Sequence, residues 1–217
     1  TMGASASCGR KTALWSAVEA GDPTLAASLL ENGAKTDLEK KCGFYGATPL
    51  QAAAGKFDVA MARLLIDAGA DVNARCAKEL KVCVLHGMIN TFCARPAEAQ
   101  GPDAQKNLEE ILQMMLKAGV DVNAASKNPG LMPWEKAFVV YVLRKDGSLC
   151  TLKETALHRA ALMRQPFAVK LLLDAGADRT IACATGETPA QLAARKSCFI
   201  PDENNDRQAQ VLALLQG

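Results

Sequence analysis

The sequence predicts an all-α solenoid of about five helix-turn-helix repeats, with a β-hairpin inserted between the third and fourth. Three observations predict it. An opening motif recurs as Thr12-Ala13-Leu14, Thr48-Pro49-Leu50, Val84-Leu85-His86, Thr155-Ala156-Leu157-His158 and Thr188-Pro189-Ala190. A closing motif recurs as Asn32-Gly33-Ala34, Gly69-Ala70-Asp71-Val72-Asn73, Gly119-Val120-Asp121-Val122-Asn123 and Gly176-Ala177-Asp178. The register between the two is shared: Leu14 to Gly33, Leu50 to Gly69 and Leu157 to Gly176 each span 19 positions. Self-similarity at about 33 residues marks a stacked array, because one such unit cannot bury its apolar face alone.

The repeats fall at about 10–42, 43–76, 77–126, 151–183 and 184–217, in a single domain, with the insertion at 127–150. Each copy reads as a helix pair. Thr caps the first helix and Pro occupies its first turn. Small residues follow, as in Ala52-Ala53-Ala54 and Ala160-Ala161, and let neighbouring helices approach closely. The second helix carries an apolar stripe, such as Val59, Leu64 and Leu65 or Val169, Leu171 and Leu172. Gly33, Gly69, Gly119 and Gly176 end it, because a left-handed cap favours a residue without Cβ. Two copies are stretched between their helices. Leu85 to Gly119 is 15 positions longer than its counterparts, and Leu214-Leu215 comes about ten positions late, after the polar run Pro201 to Asp206. That last helix reads as a terminal cap.

The insertion carries Pro133-Trp134-Glu135-Lys136-Ala137-Phe138-Val139-Val140-Tyr141-Val142-Leu143 and then Asp146-Gly147. β-Branched and aromatic residues before Asp-Gly predict a protruding hairpin. The alternative is a short helix over 133–145, ended at Gly147.

On these motifs the chain resembles the ankyrin-repeat family over nearly its whole length. The resemblance implies a non-catalytic protein–protein recognition module. In that family, finger-like loops between repeats and the first helices line a concave surface where partners bind. Carried onto this chain, the finger tips are Lys40, Lys41, Phe44 and Tyr45, then Lys78, Leu80 and Lys81. The matching first-helix positions are Glu19, Lys56 and Met163. The resemblance also implies that His86 and His158 make structural hydrogen bonds between repeats. Two departures stand out. The family glycine between the helices, present at Gly21, is replaced by Phe57 and Arg164, which predicts altered turns. Met88 and Ile89 replace small residues, which predicts a weak joint at repeat 3.

Of the ten aromatic residues, seven lie in loops or insertions: Phe44, Tyr45, Phe92, Trp134, Phe138, Tyr141 and Phe199. Trp and Tyr are enriched among interface hot spots, so Trp134, Phe138 and Tyr141 join the candidate contact residues. Phe92 and Phe199 read instead as plugs for the inter-helix insertions.

A net charge of +2 is too small for a nucleic-acid footprint, and no run is long enough to span a membrane. A monomer is expected, binding another protein, with an enzyme as one such partner. No signal peptide is visible, but a processed one would leave no trace. There are eight cysteines. Cys8, Cys42, Cys76, Cys150 and Cys183 each precede a motif Leu, or its counterpart Ala190, by six to nine positions. An even count fits disulfides in an oxidising compartment, whereas free cysteines serve as small apolar residues. With the alanine-rich repeats, this usage points to a periplasmic or secreted bacterial protein, and the resemblance to exported bacterial ankyrin proteins implies one that restrains an enzyme, as an inhibitor or immunity protein. A cytoplasmic adaptor or host-directed effector is the alternative.

No cofactor is expected. Cys76, Cys83, His86 and Cys93 form a possible Cys3His set, but with six, two and six intervening residues they lack the close pairing of common zinc sites. A metal protein or enzyme built on that cluster, or on a Cys83–His86 nucleophile pair, is the rival from another class. No phosphate-binding glycine loop, Gly-x-Ser-x-Gly elbow or His-Glu-x-x-His run is present.

Overall fold

The computed structural model describes residues 11–43, 46–76, 82–95, 97–126, 153–195 and 205–217. Among them are ten α-helices: α1 (Ala13–Ala20), α2 (Pro23–Glu31), α3 (Pro49–Lys56), α4 (Val59–Asp67), α5 (Val84–Cys93), α6 (Pro102–Lys117), α7 (Ala156–Leu162), α8 (Pro166–Asp174), α9 (Pro189–Ala194) and α10 (Asn205–Gln216). They form an all-α solenoid. The first helices α1, α3, α5, α7 and α9 stack in chain order. In the second layer α2, α4 and α6 stack, and α8 stacks on α10, but α6 and α8 barely touch. One apolar cluster runs from Leu14 to Leu215. The described residues contain no strand, only isolated bridges at Cys42–Ala47 and Arg75–Cys83. The expected β-hairpin in 127–150, and the alternative helix over 133–145, lie outside the described residues.

Local chemistry sets the helix ends. The hydroxyls of Thr12, Thr48, Thr155 and Thr188 each accept an N–H from the first turn of their helix, and the last three complete capping boxes. Asp22 and Asp58 cap the second helices in the same way. Gly33, Gly69, Gly119 and Gly176 have φ of 96°, 96°, 82° and 86°. An added Cβ would meet nothing within 4 Å at any of them, so the left-handed backbone, not crowding, calls for glycine.

The altered turns do not materialise. Phe57 (φ 60°) and Arg164 (φ 49°) adopt the same left-handed conformation as Gly21 (φ 71°). The same bond closes each turn: Asp22 N to Ala17 O at 3.0 Å, Asp58 N to Ala53 O at 3.2 Å, and Gln165 N to Ala160 O at 3.0 Å. A non-glycine residue there costs about 1–3 kcal/mol. Burial of the Phe57 ring offsets this, whereas the enclosed Arg164 donates to Arg195 O at 2.9 Å. The Phe57 ring meets Phe92 edge-on at 6.0 Å, and Phe92 meets Phe167 at 6.0 Å. The Arg95 guanidinium sits 4.1 Å over Phe57. These rings join repeats 2, 3 and 4.

Repeat 3 packs differently, as Met88 and Ile89 predict. Both are buried, and α5 stacks normally on α3 and α7. Its partner α6, 16 residues long, has slight contact with α5 and lies along α4. Polar side chains hold the connection between them. Gln100 donates to Phe92 O and Arg95 O (3.3 and 2.7 Å), and Asn107 donates to Phe57 O (3.4 Å).

Candidate functional site

Each finger loop closes on a backbone clasp. In the first, Cys42 and Ala47 exchange two hydrogen bonds of 3.0 Å. In the second, Cys76 N donates to Val82 O at 3.0 Å. In the third, Ser126 N donates to Glu154 O at 2.8 Å and Lys153 N donates to Ser126 O at 3.0 Å. In the fourth, Cys183 N donates to Glu187 O at 2.9 Å. Ser126 and Lys153 thus meet at the base of the third finger loop. In sequence the insertion lengthens that loop, and its residues lie outside the described ones.

Side chains tie the finger bases together. Glu39 accepts from Asp71 N (2.8 Å), Asn73 from Asp121 N (2.8 Å), and Asn123 from Asp178 N (2.8 Å). Asn73 also donates to Gly119 O at 3.0 Å. This ladder carries the register across the enlarged finger without a break.

On the first-helix face, Lys56 donates to Glu19 O and Val18 O (2.5 and 3.3 Å), capping the carbonyl end of α1. Glu19 pairs with Lys11 at 2.7 Å, and that hydrogen bond holds its carboxyl below the usual range. Arg159 of α7 donates to Asn90 of α5 at 2.7 Å. Met163 ends α7 and is partly buried against the core. Lys40 and Lys41 are exposed, and Lys40 pairs with Asp37 at 2.7 Å. Phe44, Tyr45, Lys78, Lys81, Trp134, Phe138 and Tyr141 lie outside the described residues. Sequence reasoning missed Asn90 and Arg159, 69 positions apart with no shared motif, and the clasp at Ser126. Phe92 lies within α5, not in an insertion as expected, and its buried ring packs between Phe57 and Phe167 instead of plugging the inter-helix loop.

The histidines are structural. His158 Nδ1 accepts from Thr155 N at 3.1 Å and lies 2.8 Å from Thr155 Oγ1, while Nε2 donates to Glu187 O at 3.2 Å. It thus ties repeat 4 to repeat 5. Burial pushes its pKa down to about 4, against a contact with the Ile181 backbone. His86 is pushed down to about 3, first by burial and then by Arg159; its bond to the Glu154 backbone works the other way. Cys83 stands where the other first helices carry a capping Thr, and it makes no side-chain cap bond. His86 Nδ1 is left buried without a partner.

Burial pushes the Cys76 and Cys83 thiols up, and the Cys93 thiol up to about 12. Protonated thiols are poor nucleophiles and poor metal ligands. Among the described residues, no three of His, Cys, Asp and Glu are grouped to hold a metal ion, so Cys76, Cys83, His86 and Cys93 do not assemble as a Cys3His site. Cys42, Cys76, Cys83, Cys93 and Cys183 are buried, and Cys183 Sγ lies 3.0 Å from Thr185 Oγ1. No helix among the described residues is long and apolar enough to cross a membrane.

Residues 2–76 match a family model of ankyrin repeats in three copies, and residues 153–183 match the single ankyrin repeat. No curated protein matches the chain. The matches flank the third repeat and the enlarged finger, and the stack, clasps and asparagine ladder continue through both. Both matched stretches are ankyrin repeats, a kind of repeat that forms protein–protein interaction modules.

Proposed function

We propose that this protein recognises one protein partner through its finger row and that the enlarged third finger supplies the principal contact. The observation that carries the reading is the clasp of Ser126 with Lys153 and Glu154. It roots a long segment rich in aromatic and apolar residues in the row from which the other fingers project. Trp134, Phe138 and Tyr141 are the anchors, with Phe44, Tyr45, Lys40, Lys41, Lys78 and Lys81 extending the surface and Met163 at its floor. Large aromatic side chains give much contact area at small entropic cost, which suits them to central positions in an interface. The partner is an enzyme held in check, and the setting is the bacterial periplasm or the outside of the cell. Eight cysteines, five of them at recurring positions, support that setting.

A second reading, a cytoplasmic adaptor, is favoured by one observation. Cys76, Cys83 and Cys93 serve as buried small apolar side chains. Alkylation of the unfolded, non-reduced protein from its native host separates the two settings. Fewer than eight reactive thiols supports export, and eight supports the cytoplasm.

Deleting 134–150 tests the contact surface. The shortened chain is expected to unfold cooperatively and to lose its partner. Retained binding would overturn the reading, and lost cooperativity would assign the finger a structural role.

A further inference from the structure

We propose that the joint between repeats 3 and 4 is an acid-sensitive hinge, opened by protonation of His86 and His158. Geometry makes this joint different from the others. It lacks the second-helix contact, because α6 and α8 barely touch. What holds it is the packing of α5 on α7, the Ser126 clasp with Lys153 and Glu154, the Arg159–Asn90 bond, the Asn123–Asp178 bond, the ring of Phe167 on Phe92, and the bond of His86 to the Glu154 backbone.

The His86 imidazole is enclosed at this joint, and His158 caps the start of α7 beside it through Thr155 N while its other nitrogen bonds Glu187 O of repeat 5. The charges acting on His86 are all positive: Arg159 and His158 from α7, and Arg75 from the second finger. On α3 the corresponding motif residue is the uncharged Gln51, which donates to Ala74 O and Val82 O. Cys83 and Cys93, on the ends of α5, are protonated thiols. The Glu154 carboxyl is buried in the same joint. A proton on His86 Nδ1 would enter a site where that atom has no acceptor and two guanidinium groups stand nearby. A proton on His158 Nδ1 would turn an acceptor of the Thr155 N–H into a second donor. Each event breaks a neutral arrangement, and both do so at the root of the enlarged finger.

The sign follows. Both folded values lie below the ordinary 6.5, so the unfolded or opened form binds more protons. The stabilisation is complete above pH 6.5 and is lost as pH falls toward the folded values.

Hydrogen exchange of the intact protein at pH 7 and pH 5, corrected for intrinsic rates, reads the hinge directly. The expected result is a loss of about tenfold or more in protection of α5 and α7, with α1 to α4 unchanged. Uniform loss across all helices, or no loss, would overturn the hinge. The ring-proton NMR signals of the unmodified protein supply a second reading without substitution. Both histidines are expected to stay neutral while the joint is closed, and ordinary titration near pH 6.5 in a protected joint would overturn the proposal. Glu154→Gln is expected to keep the acid response; its disappearance in that variant would assign the response to the carboxyl and overturn the assignment to the imidazoles.

Discussion

Phe57 marks the point where two local rules conflict. Its backbone position asks for glycine, and its side-chain position asks for a large apolar ring. The sequence carried the first rule legibly, through alignment with Gly21, and so predicted an altered turn. It could not carry the second, because Phe92 and Phe167 come from other repeats. The structure keeps the turn and uses the ring. Phe57→Ala is expected to destabilise by about 3–5 kcal/mol, the usual cost of emptying an aromatic site. Phe57→Gly opens the same cavity but relieves the left-handed backbone, so it is expected to be about 1 kcal/mol less harmful than Ala. Urea unfolding of the two variants checks the order, and Ala outperforming Gly would contradict the strain. Legibility was similar for the histidines. Their structural role was readable from the repeated motif, whereas the unpartnered Nδ1 of His86 depends on the threonine that Cys83 replaces.

The helices themselves were readable at the level of elements. The caps at Thr12, Thr48, Thr155 and Thr188, and the glycines that end the second helices, are short-range signals in the chain. The packing of α6 was less readable. Met88 and Ile89 announced a departure, but not that α6 would follow α4 and leave α8. The ladder of Asn73 and Asn123 bridges 48 and 55 positions, so only the fold brings its members together. Asn123→Ala removes the acceptor for Asp178 N across the joint beneath the enlarged finger. It is expected to cost about 1 kcal/mol, with retained helix content by circular dichroism. An unchanged unfolding midpoint would remove the ladder from the forces holding that joint. Much of the finger surface is legible only as sequence, as in Trp134. Trp134→Ala is expected to weaken partner binding by about 2 kcal/mol or more if it anchors the contact, and unchanged affinity in a titration would return Trp134 to a packing role.

Among the described residues the stack is continuous with one unusual joint, and the clasp that closes the lengthened third finger loop lies at that joint. Solenoid stability is close to a sum over repeats and their interfaces, so a stack with one weaker interface can open there without losing its ends. The stack was predictable from the period of the motif. That the insertion belongs to the finger row was not, because the clasp at Ser126 depends on backbone partners either side of a long excursion. The central claim is that this finger meets the partner. Site-specific photo-crosslinking in the native host tests it most directly, with the photoreactive residue placed at Trp134 or, as the comparison, at the exposed Gln113 of α6. The account predicts one dominant protein adduct from position 134 and none of that mass from position 113. The same adduct from position 113, with none from position 134, would contradict it.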